Sequence, residues 1–127
     1  MTEDIMSEHP IVAFFTWWNG AMRDPAELTP EGFARFFTED GRLIVNGNLR
    51  ATGWEAMATH YAAIAARCEE VAMVLPVEEG FATKERAFVH CRTHVIADGK
   101  QAAEEAMAYA IVEDGRMALL RVVSLSV

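Results

Sequence analysis

Ala97-Asp98-Gly99-Lys100 and Glu113-Asp114-Gly115-Arg116 each set an Asp-Gly pair between apolar or alternating runs. Both central residues of a type I′ turn need positive φ, and Asp-Gly is the strongest short-range signal for such a hairpin. Two two-residue loops therefore predict a three-stranded antiparallel meander. Continuous pairing puts Phe88, Tyr109 and Leu120 in one row, His90, Met107 and Val122 in the next, and Arg92, Glu105 and Ser124 beyond, with His94 following. The opposite face carries Ala87, Val89, Cys91, Ala106, Ala108, Ala110, Leu119, Arg121 and Val123. The first face is half apolar and half ionisable, as ligand pockets are, and is expected to line one.

The chain has 127 residues, 52% of them apolar, enough for one domain with a sizeable core. A net charge of −8 argues against a nucleic-acid or anionic-membrane surface. Two cysteines, Cys68 and Cys91, make no disulfide framework, and Cys91 reads as a small buried hydrophobe. The acidic start Met1-Thr-Glu-Asp-Ile-Met-Ser-Glu8 lacks an apolar core, so no signal peptide is expected, and no apolar run is long enough to span a bilayer. A cytoplasmic protein is the expectation.

Upstream of the meander, His9-Pro10 opens a helix with an apolar stripe of Ile11, Phe14, Phe15, Trp18 and Met22, ending before Asp24-Pro25. Thr29-Pro30 starts a short second helix that buries Phe33, Phe36 and Phe37. A strand is expected over about Arg42–Asn46, ending in Asn46-Gly47-Asn48. Thr52-Gly-Trp-Glu55 reads as a capping box opening a third helix with the stripe Trp54, Met57, Ala58, Tyr61 and Ile64. A further strand covers about Val71–Val77, with Pro76 placing it at an edge or bulge. The expected fold is α+β, with three N-terminal helices packed on one face of a mostly antiparallel sheet.

That order, with Phe36-Phe-Thr-Glu-Asp-Gly-Arg-Leu-Ile-Val45, Thr52-Gly-Trp-Glu-Ala-Met57 and the closing Glu113-Asp-Gly-Arg116, resembles the nuclear transport factor 2-like superfamily, closest to its SnoaL-like polyketide cyclases and ketosteroid isomerases. The resemblance covers nearly the whole chain. It implies a single cone-shaped barrel over residues 1–127, with a curved sheet and helices around one deep pocket, and a homodimer. A ketosteroid isomerase needs a carboxylate base and two hydrogen-bond donors. Carried onto this sequence, those positions fall on Val45, Phe14 and Met107, none of which can move a proton or hold an oxyanion. The carry-over to Met107 also implies that the Phe88, His90, Arg92, Glu105, Met107 and Tyr109 face looks into the pocket, and the Ala-rich face outward.

On that reading His90 is the general acid/base, since an imidazole titrates near neutrality, with Tyr109 as donor and Glu105 as a further base candidate. The alternative for His90 is a partly buried ring bonded to a backbone carbonyl or to Tyr109. Arg92 faces Glu105 across the ladder and would position the substrate, or form a rim ion pair worth ~0–1 kcal/mol. Phe14, Trp17, Val45, Trp54, Tyr61, Phe88, Met107, Leu120 and Val122 are the expected apolar lining. His90 and His94 lie about 13 Å apart at ~3.3 Å per strand residue, too far to share a metal. His60 lies on the flank of the third helix, either solvated or lining the rim. No metal and no cofactor are expected, the partner being a small hydrophobic molecule; the rival reading is a non-catalytic ligand-binding or dimerisation module.

Overall fold

The computed structural model describes residues 9–127; the acidic N-terminal stretch lies outside the described residues. Helix α1 (Pro10–Arg23) is followed by a 3-10 turn (Pro25–Glu27), α2 (Pro30–Ala34), β1 (Phe37–Val45), β2 (Asn48–Thr52), α3 (Trp54–Arg67), β3 (Glu70–Met73), β4 (Glu79–Ala82), β5 (Arg86–Ala97), β6 (Lys100–Glu113) and β7 (Arg116–Ser126). The sheet is open, in the order β2-β1-β7-β6-β5-β3, with β4 pairing β5 along the same edge as β3. All pairings are antiparallel except β1 with β7. The three helices pack on this sheet, giving the expected α+β architecture. No helix among the described residues is long and apolar enough to cross a membrane.

Both Asp-Gly turns form as expected, with φ of 54° and 73° at Asp98-Gly99 and 51° and 82° at Asp114-Gly115. Asn46-Gly47 has the same positive-φ pair and closes a third hairpin, β1 to β2. Strand β2 escaped the sequence reading because four of its five residues are exposed and polar or isolated, so no alternation marks it. Strand β4 escaped for the same reason.

Four local expectations are corrected. Helix α2 stops at Ala34, so Phe37 opens β1 instead of joining the helix. Helix α3 is capped by Gly53 at φ 88° with no side-chain bond, so the capping box does not form. Strand β3 ends at Met73, and Pro76 lies outside any strand. The β6–β7 register is the fourth. Val112 faces Met117, yet Ile111 faces Leu119, leaving Ala118 as an extra residue in β7. This bulge shifts every later pair by one and sends β7 side chains to the opposite face from the continuous register. Tyr109 thus faces Arg121, and Met107 faces Val123.

The bulge sits against an irregularity in β1. Phe37 pairs Met117 and Arg42 pairs Leu119, so five β1 steps accompany two on β7. Gly41 makes the fit possible, because a Cβ there would lie 3.0 Å from the Thr38 carbonyl oxygen and 3.1 Å from that of Met117.

Helix α1 buries Ile11, Phe14, Phe15, Trp18, Ala21 and Met22 against the sheet. His9 seats its start. The ring Nδ1 accepts from the N–H groups of Ile11 (3.2 Å) and Val12 (3.4 Å), so Nε2 carries the proton and donates to the carbonyls of Phe81 and Phe88, both at 3.0 Å. One buried ring thereby ties α1 to β4 and β5. At the far end Asn19 acts as a strand partner for β3: its Nδ2 donates to the Met73 carbonyl (2.9 Å) and its Oδ1 accepts from the Met73 N–H (2.8 Å).

Candidate functional site

Between α1, α3 and the concave sheet face lies a cavity of about 740 Å³. Its floor is the small-residue face of the meander. Cys91, Ala106 and Ser124 form one row across β5, β6 and β7, with Thr93 and Glu104 in the next. Alanine, cysteine and threonine here are what leave the space open, since larger side chains would fill it. Phe14, Phe15 and Trp18 form the α1 wall, Tyr61 and Ile64 the α3 wall, and Val45 and Val122 one end. Arg50, Thr59, His60 and Arg67 bring polar groups to the α3–β2 side.

The face expected to line the cavity therefore points away from it. His90, Arg92, Glu105, Met107 and Tyr109 are on the convex side, where Met107 is 53% and Tyr109 39% exposed. Two features account for the difference. Ionisable and bulky groups made this face look like a pocket, whereas the cavity is made by small ones. The Ala118 bulge also moves Leu120 and Val122 off this face to the concave side, where Leu120 is fully buried and Val122 lines the cavity. Of the other expected lining residues, Phe14, Val45 and Tyr61 border the cavity. Trp17 instead packs edge-on against Phe33 at 5.0 Å, and Trp54 donates its indole N–H to the Phe37 carbonyl at 2.9 Å. Phe88 stacks on Phe81 at 5.3 Å, on the convex side.

The expected Arg92–Glu105 pair is also corrected. The two are ladder partners, but the Glu105 carboxylate turns to His90 Nε2 at 2.6 Å, while Arg92 reaches Glu78 at 3.5 Å. His90 is thus held by its hydrogen bond to Glu105 on the convex face, on the side of the sheet remote from the cavity.

The cavity's own polar groups are distinctive. The His60 pKa is lowered from 6.5 by burial first, then by the nearby Arg50 and Arg67 cations, so at neutral pH the ring is an uncharged proton acceptor. Burial raises the Tyr61 hydroxyl well above its ordinary value, so it stays a donor. Burial also pushes the Cys91 thiol up to about 11, which leaves it a poor nucleophile. The Trp18 indole N–H is buried without any hydrogen-bond partner. Such a group costs free energy unless something else accepts from it. Sequence reasoning missed Trp18 as a site residue, although it lay on the α1 stripe; nothing in a sequence distinguishes an orphaned indole from a packed one. Among the described residues no three His, Cys, Asp or Glu side chains converge as metal ligands.

No protein-family model matches the sequence, and no curated protein sequence matches it. Solved structures do match in shape. IdmH of Streptomyces antibioticus, a candidate polyketide cyclase, superposes with a TM-score of 0.70 at 13% identity, covering 91% of this chain and 88% of its own. TerC, co-crystallised with polyporic acid, gives 0.70 at 13% identity, covering 93% and 88%. A protein of Catenulispora acidiphila with a ketosteroid isomerase-like fold, in complex with trimethylamine, gives 0.68 at 14% identity, covering 86% and 82%. The chain has the nuclear transport factor 2-like fold that SnoaL-like and ketosteroid isomerase-like proteins share. At these identities the likeness establishes the fold, and chemistry must be argued from the site.

Proposed function

We propose that the concave cavity binds a small, largely apolar molecule bearing a carbonyl group, and that His60 takes a proton from it without a cofactor. The observation that carries this reading is the uncharged His60 imidazole on the wall of a mostly apolar cavity that also holds the Tyr61 hydroxyl. Proton abstraction beside a carbonyl needs a base near neutrality and donors for the developing oxyanion. Isomerisation, cyclisation and dehydration all begin this way. Solved neighbours that hold polyporic acid or trimethylamine support a small-molecule role for the fold.

The test is proton exchange on a plain aromatic ketone. 2-Tetralone in D₂O, followed by NMR, is expected to exchange its α-protons faster with the protein than in buffer, and a general base typically contributes about 10²-fold or more. His60→Gln should lose the acceleration. Exchange at the buffer rate with wild-type protein would refute proton transfer; binding without exchange would then favour the non-catalytic binding module.

The convex face fits a second copy of the chain. Met107, Val123 and Leu125 are each more than half exposed and lie on adjacent strands beside Tyr109, and grouped exposed apolar side chains of this kind mark contact surfaces. A homodimer through this face would cover the patch and leave the cavity free. Free thiols at Cys68 and Cys91 suit a cytoplasmic setting.

A further inference from the structure

We infer that the ligand of the concave cavity carries an anionic group, of carboxylate or enolate type, seated between Arg50 and Arg67 at the α3–β2 side. The inference rests on the binding role proposed above and narrows the class of ligand.

The cavity is electrostatically lopsided. Arg50 comes from β2 and Arg67 from the last turn of α3, and both act on His60, which lies two helical turns before Arg67. The seven-residue spacing puts His60 and Arg67 on one face of α3, ~10.5 Å apart along its axis, and Arg50 lines the same cavity. Neither guanidinium has a carboxylate within ion-pair distance among the described residues. That is notable in a chain with 19 acidic and 11 basic side chains, where carboxylates are plentiful. Glu55 borders the adjoining groove with Arg50, yet does not pair with it. Among the described residues the one carboxylate lining the cavity, Glu104, is on β6, across from α3. An anion would therefore be drawn to the arginine edge and repelled from the sheet side.

The rest of the lining is apolar. Phe14, Phe15, Trp18, Ile64 and Val122 wall the cavity away from the arginines, and Tyr61 adds its ring and hydroxyl. The ligand class is thus an aromatic or alicyclic body with a negatively charged substituent. Arginine at such a site matches a carboxylate in shape as well as charge.

Matched probes test this directly. 2-Naphthoate and 2-naphthamide differ chiefly in charge, and calorimetric titration at low salt is expected to show the carboxylate binding at least about tenfold more tightly. The doubly substituted Arg50→Gln/Arg67→Gln protein should bring that ratio to about one. Both positions are exposed, so the variant should fold, and its thermal melt would confirm that. Equal affinity in the wild type, or a preference that survives the double substitution, would overturn the inference. The neutral dye N-phenyl-1-naphthylamine separates the two levels. If the dye binds while the naphthoate does not, the anion site is wrong and the cavity reading stands; if nothing binds, both fail.

Discussion

Burial, Arg50 and Arg67 all act on the His60 imidazole in the same direction, favouring the uncharged ring. Its folded-state pKa lies below 6.5, so well above pH 6.5 the ring is uncharged in both the folded and the unfolded chain. As pH falls from 6.5 toward the folded value, the unfolded chain takes up a proton that the folded chain refuses, and stability is lost. His60→Gln removes this contribution. Its melting temperature should fall less than that of the wild type between pH 7 and about pH 5. Parallel losses in the two proteins would show that His60 does not titrate as argued. At this scale the sequence was partly legible. Cys91 as a buried mid-strand thiol follows from strand parity, and helix position puts His60 on the flank of α3 without deciding between solvent and rim. The importance of Trp18 does not, because an unpaired donor is a property of its surroundings.

Hairpins β1–β2, β5–β6 and β6–β7 share one local cause, a residue pair with positive φ, and local causes can be read from sequence. The two Asp-Gly turns mark their hairpins in the sequence; Asn46-Gly47 carries the same signal, but its polar second strand hides the hairpin. Faces were harder. Strand alternation says which residues share a side, while the choice of side depends on what packs there. The small Ala106, Ala108 and Ala110 side chains face inward because α1 brings Phe14, Phe15 and Trp18 to meet them. The Ala118 bulge has no local marker beyond the adjacent Leu119 and Leu120, both buried.

Helix α1 keeps its place partly through Asn19, whose amide supplies both bonds that a neighbouring strand would give Met73. Asn19→Ala leaves the Met73 N–H and carbonyl unpaired at a buried position and should cost about 1–3 kcal/mol. Urea titration would measure it, and an unchanged midpoint would contradict the role given to this side chain.

The whole molecule separates two surfaces by the thickness of one sheet. The concave side holds the cavity, and the convex side presents Met107, Tyr109, Val123 and Leu125 beside the His90–Glu105 pair. Neighbouring β6 residues serve opposite sides, so one-residue steps along the strand should separate ligand binding from self-association. Met107→Glu places a charge in the apolar patch and is expected to give a monomer by light scattering if the wild type is a dimer through this face. Ala106→Phe instead fills the cavity, with Val45→Phe as a second plug should the first impair folding.

The decisive measurement is the fluorescence titration of N-phenyl-1-naphthylamine against wild type, Ala106→Phe and Met107→Glu, each first shown to melt cooperatively. Binding retained in Met107→Glu and lost in Ala106→Phe is the predicted result, because only Ala106 borders the cavity. Binding lost in Met107→Glu and kept in Ala106→Phe would place the ligand on the convex face and contradict the account.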